Sequence, residues 1–118
     1  MNLTGALQPI SELPGLVAAL VFTHDGLVVD HAGSRFAADQ LAAELAGLAD
    51  AARNCFATLS LGEMRHLSVA LTTHDVTVLL MPGHFLSLVF ERGRGAAGLT
   101  ADIEGALQPL RVALGGRQ

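Results

Sequence analysis

At 118 residues the chain has the length of one domain, taken here as residues 1–118, and such a chain can bury about two thirds of its unfolded surface around one core. Apolar residues make up 51% of it and charged residues 15%, too little charge to cover a monomer, which leaves apolar surface for a partner. The net charge is −4 and all seven basic residues are arginines, scattered from Arg35 to Arg117; no basic stripe exists to neutralise phosphates, which argues against nucleic acid as a target.

The opening MNLTGALQPISELPG has neither a positive n-region nor an unbroken apolar stretch and does not read as a signal peptide. Leu3–Leu13 within it is weakly helical, with Thr4 as N-cap and a break or kink at Pro9. The next apolar run, Leu16 to Phe22, is the longest in the chain, yet far shorter than the roughly 20 residues of a membrane span. No membrane insertion is expected.

Leu16–Thr23 and Leu27–His31 are rich in Val and Leu and are joined through His24-Asp25-Gly26, a strong hairpin signal because Asp-Gly tolerates positive φ. Phe36–Leu59 predicts one long helix whose core stripe is Leu41, Leu45, Leu48, Ala52, Phe56 and Leu59, ended by Gly62. Cys55 on it is the only cysteine; it reads as a small apolar filler, and the lack of any internal disulfide suits a cytoplasmic protein.

Three further strands follow: Met64–Thr72, Val76–Met81 and Phe85–Glu91. The first alternates Leu67, Val69 and Leu71 against His66, Ser68 and Ala70, so one of its faces is covered; the other two are apolar at nearly every position, so both of theirs are. The turns Thr73-His74-Asp75 and Pro82-Gly83-His84 make the three a meander. A last helix, N-capped by Thr100 and bent at Pro109, reaches Leu114. The sequence GALQP occurs at Gly5–Pro9 and again at Gly105–Pro109. No larger unit recurs with it, so it marks at most two terminal helices that share one face of the sheet. The predicted fold is α+β, an α/β/α sandwich with element order α-β-β-α-β-β-β-α and a five-stranded antiparallel sheet.

Candidate chemistry is sparse. Gly93, Gly95 and Gly98 match G-x-G-x-x-G, but no parallel strand and no acidic residue follow at the distance a dinucleotide site requires, and no Lys exists to reach a phosphate. The five histidines, His24, His31, His66, His74 and His84, match no zinc spacing, so no metal is expected. No G-x-S-x-G elbow presents a serine, and acids such as Asp30, Asp50 and Glu63 are scattered. The expectation is a protein with no cofactor and no active site of its own. Two features suit assembly instead: the small residues Ala42, Ala43, Ala46, Ala49 and Ala51 on the long helix, and the semi-apolar strand Met64–Thr72 as a sheet edge.

LPGLVAALVFTHDGLVVD at Leu13–Asp30, LAAELAGLADAA at Leu41–Ala52 and VTVLLMPGHFLSLVFERGRGAAG at Val76–Gly98 resemble the Roadblock/dynein light chain family, and within it the bacterial MglB-type regulators of small Ras-like GTPases. The resemblance implies a homodimer in which third strands pair across a two-fold axis through Arg65, His66, Leu67, Ser68, Val69 and Ala70. The product is a continuous ten-stranded sheet with two long helices side by side above it. It further implies that these helices form a platform for a small Ras-like GTPase, here Asp39, Ala42, Glu44, Ala46, Ala49, Asp50 and Arg53. Hydrolysis would be promoted through the GTPase's own catalytic groups, in a prokaryotic polarity, motility or signalling system. An arginine finger from Arg92 or Arg94 is not part of that expectation. Two alternatives stay open, a scaffold that tethers partners whatever their nucleotide and a small-molecule sensor module.

Overall fold

The computed structural model describes residues 4–33, 37–92 and 101–115. Eight elements run in the order α1 (Thr4–Ser11), β1 (Leu16–Thr23), β2 (Val28–Ala32), α2 (Ala38–Thr58), β3 (His66–Ala70), β4 (His74–Met81), β5 (His84–Glu91) and α3 (Ala101–Gly115). The sheet is antiparallel throughout, with strand order β2-β1-β5-β4-β3. Element order, fold class and the edge position of the third strand are as expected. The glycine motif at Gly93, Gly95 and Gly98, the Thr100 cap and Arg94 lie outside the described residues.

Burial follows the strand patterns. Central β5, apolar at nearly every position, is buried from Phe85 to Phe90, while edge strand β3 is half-buried only at Leu67 and Val69. One face of the sheet, with Val21, Leu86 and Leu88, packs under Leu7 and Ile10 of α1 and Leu107 and Leu110 of α3. The repeated GALQP thus supplies matching apolar residues to one cluster, and the terminal helices do share a face. Both repeats also place Gly four residues before Pro. The proline cannot donate to that residue's carbonyl.

The other face, with Leu20, Phe22, Val78, Phe85 and Val89, packs under α2. Here the predicted stripe is rotated. The buried residues of α2 are Ala42, Leu45, Ala46 and Ala49, while Leu48 is 44% and Leu59 is 59% exposed. Phenylalanine and leucine side chains already fill the sheet surface, so the helix comes close only by presenting methyl groups. Gly26 fixes that approach: with φ +90°, a Cβ built on it would lie 3.1 Å from the Ala43 Cα and 3.5 Å from the Ala46 Cβ. The helix also stops before Gly62. Ser60 takes the left-handed conformation (φ 58°) and a Schellman-type pair of bonds, Leu61 N–H to Phe56 and Ser60 N–H to Ala57, closes the last turn.

Under α2, the buried Ser87 hydroxyl has no hydrogen-bond partner among the described residues. Ser87→Ala removes that unsatisfied group and is expected to raise stability by about 1 kcal/mol. The check is a higher urea midpoint with an unchanged slope; a lower midpoint contradicts it.

Candidate functional site

Two surfaces carry the residues singled out in the sequence: the outer face of α2 and the free edge of β3. On α2, Asp39, Glu44 and Asp50 are exposed. Asp39 stands in the first turn, where its charge suits the helix dipole and offsets an N-terminus that Ala37 leaves without a side-chain cap. Arg53 is held from two sides. Its guanidinium lies 3.9 Å from the Asp50 carboxylate and 5.9 Å from the centre of the Phe85 ring, which the His24 ring also meets, tilted by 40°, at 4.5 Å. The ion pair is solvent-exposed and adds little stability; the ring contact fixes where the arginine points.

Ala42, Ala46 and Ala49 belong elsewhere. At 0%, 4% and 0% exposure they lie against the sheet and offer nothing to a partner. Their assignment to the contact surface is corrected: small residues face inward because the sheet beneath is bulky. The outer face has its own small residues, Ala43, Gly47 and Ala51, each one turn beyond the last, with Leu48 beside them and Cys55 one turn further on. A Cβ on Gly47 would meet nothing within 4 Å. Glycine inside a helix is about 0.5–1 kcal/mol worse than alanine, and no contact among the described residues requires it there. The signal in the sequence was a glycine in mid-helix, hidden among alanines.

The two edges of the sheet differ. Along β3 the ladder to β4 is regular, from His66↔Leu79 to Ala70↔Asp75, and bonds at both ends (Leu80 N–H to the Arg65 carbonyl, Leu71 N–H to that of His74) turn the odd-numbered residues toward β4. Alternation then directs the backbone groups of His66, Ser68 and Ala70 outward, unpaired. Their side chains are short or polar and exposed, and Ser68 Oγ bonds the Thr77 hydroxyl at 3.1 Å on the sheet's own surface. At β2 the register slips between Val21 and Phe22, leaving Val29 as a bulge, and the His31 N–H donates to the Asp30 carboxylate at 2.8 Å. A bulge and a spent donor blunt that edge.

Of the other candidates, Arg92 is exposed beside the β3–β4 turn, its N–H donating to Thr73 at 3.2 Å. Among the described residues no group of three or more His, Cys, Asp or Glu is placed to hold a metal ion, and no helix is long and apolar enough to cross a membrane.

The model of the Roadblock/LC7 domain family matches residues 5–86. No curated protein matches the chain. Among solved structures, a Roadblock/LC7 domain from Streptomyces avermitilis is 25% identical, with 94% of this chain and 92% of that one covered and a TM-score of 0.76. MglB of Myxococcus xanthus, 14% identical, superposes with a TM-score of 0.83 over 97% of this chain and 95% of its own. The gliding protein MglB of Thermus thermophilus, 20% identical, gives 0.78 over 95% and 87%. At these identities the two MglB structures share a fold with the chain.

Proposed function

We propose that this chain, which belongs to the Roadblock/LC7 domain family, is a non-catalytic regulator that works as a homodimer and binds a small Ras-like GTPase, promoting hydrolysis of its GTP. The observation that carries the dimer is the contrast between the sheet edges: β3 presents three residues with unpaired outward backbone groups, and β2 is blocked. An antiparallel strand pair is self-complementary, so a two-fold axis near Ser68 joins two copies with the same atoms on both sides. The same operation brings the two α2 helices together, and Ala43, Gly47 and Ala51 allow a close approach. The likeness to MglB proteins supports the GTPase as partner. The contact surface is the rest of the outer face: Asp39, Glu44, Asp50 and Arg53. The ring-stacked Arg53 serves as an oriented donor and the carboxylates select a basic complement.

The test is co-elution with light scattering of the purified chain and Ras-like GTPases from its own organism, loaded with GDP or a non-hydrolysable GTP analogue. The expected particle holds two copies of this chain and forms with the GTP-like state alone. Equal binding to both states replaces the regulator with a scaffold. A melting temperature that shifts with metabolites and with no GTPase replaces it with a sensor.

A further inference from the structure

β3 reads HLSVA from His66 to Ala70, exposed at its even positions and half-buried at Leu67 and Val69. Its outward backbone groups belong to His66, Ser68 and Ala70. In an antiparallel pair these three take the hydrogen-bonded positions, and Leu67 and Val69 the closer, non-hydrogen-bonded ones. Only a centre on Ser68 pairs the whole strand. His66 then lies across from the small Ala70 of a second copy, Leu67 meets its Val69 on the α2 side of the sheet, and Ser68 faces itself. The Ser68 hydroxyl can be enclosed there because it already bonds Thr77 of its own copy at 3.1 Å, so it is not left unpaired at the centre.

Slipped pairings lose on both counts. A centre on Leu67 leaves only His66–Ser68 paired and sets apolar Val69 against charged Arg65. A centre on Val69 leaves only Ser68–Ala70 paired and carries His66 past the strand end, to the β3–β4 turn. We infer that β3 encodes both its partner and its register: it takes a second copy of this chain with Ser68 on the two-fold axis, and the size match of His66 to Ala70 excludes the slipped forms. The inference rests on the homodimer reading and adds the residues that select the pairing.

The experiment is disulfide trapping of the whole chain in a Cys55→Ser background, which leaves one cysteine in each variant. Directly opposed residues place their Cβ atoms about 4.5–5.5 Å apart, close to disulfide geometry. Ser68→Cys is expected to link to itself about tenfold faster than Leu67→Cys or Val69→Cys, while those two, mixed, link to each other. Independently, Ala70→His opposes two imidazoles on either side of the axis and is expected to weaken the dimer about tenfold; adding His66→Ala restores it. Both positions are exposed in the protomer, so neither change touches its core. A parent that light scattering finds monomeric overturns the dimer and this register with it. A dimeric parent in which Leu67→Cys or Val69→Cys links to itself first, or in which Ala70→His costs nothing or is not rescued by His66→Ala, keeps the dimer and overturns the register.

Discussion

An arginine in place of Gly47 is expected to leave the protomer as stable as before or more so and to abolish the dimer. The two effects separate because Gly47 is exposed and a Cβ built there meets no described atom within 4 Å. Replacing a mid-helix glycine by arginine gains about 0.5–1 kcal/mol of helix propensity. At a helix–helix seam the substitution counts twice, once from each copy, and sets two bulky cations against each other where small residues had allowed contact. Dimer affinity is expected to fall about 100-fold, on the order of 3 kcal/mol. Light scattering over a micromolar dilution series checks the mass, and urea unfolding of the monomer checks the protomer. A Gly47→Arg chain that remains dimeric places the α2 helices away from the seam.

The neighbouring substitution has the opposite character. Ala46→Arg is expected to unfold the protomer, since Ala46 is 4% exposed and a Cβ built on Gly26 already comes within 3.5 Å of its methyl group. Burying an unpaired guanidinium and overfilling the layer between α2 and the sheet costs about 4–5 kcal/mol or more. Domains of this size hold only about 5–15 kcal/mol in all. Far-UV circular dichroism and soluble yield are the measurements; a soluble Ala46→Arg protein with the parent's melting temperature requires α2 to turn its leucines inward. Between adjacent residues, one substitution breaks an assembly and the other breaks the fold.

That pair of positions also marks where the sequence ceases to be readable. β1 is found at the predicted Leu16–Thr23, because a Val/Leu run bounded by Pro14-Gly15 and Asp25-Gly26 has few other conformations available. The distinction between an alternating β3 and a continuous β5 separated edge from centre. The rotation of α2 was not legible: ranked by hydrophobicity, Leu48 and Leu59 stand above the alanines, but the helix seats itself on a surface set by Phe22 and Phe85 from other strands. Size complementarity between distant segments leaves no periodic trace along one helix. Of the residues assigned to the α2 surface, the charged ones remain exposed or half-buried because solvation fixes their side of the helix. The alanines, equally at ease inside and outside, did not declare theirs.

If copies pair through β3 as proposed, the slipped register at Val29 and the Asp30 carboxylate turned back on the next amide would also set how far such sheets can grow. A strand layer with two receptive borders is a monomer for polymerisation: each addition exposes a fresh border, and the product is a ribbon of indefinite length. With one border closed to newcomers, the first joining step consumes the only remaining one on each molecule, and growth terminates at a pair. In the proposed pairing through β3, a defect in the opposite outermost strand would thus limit the stoichiometry, and repairing it would turn a self-terminating particle into the seed of a fibre.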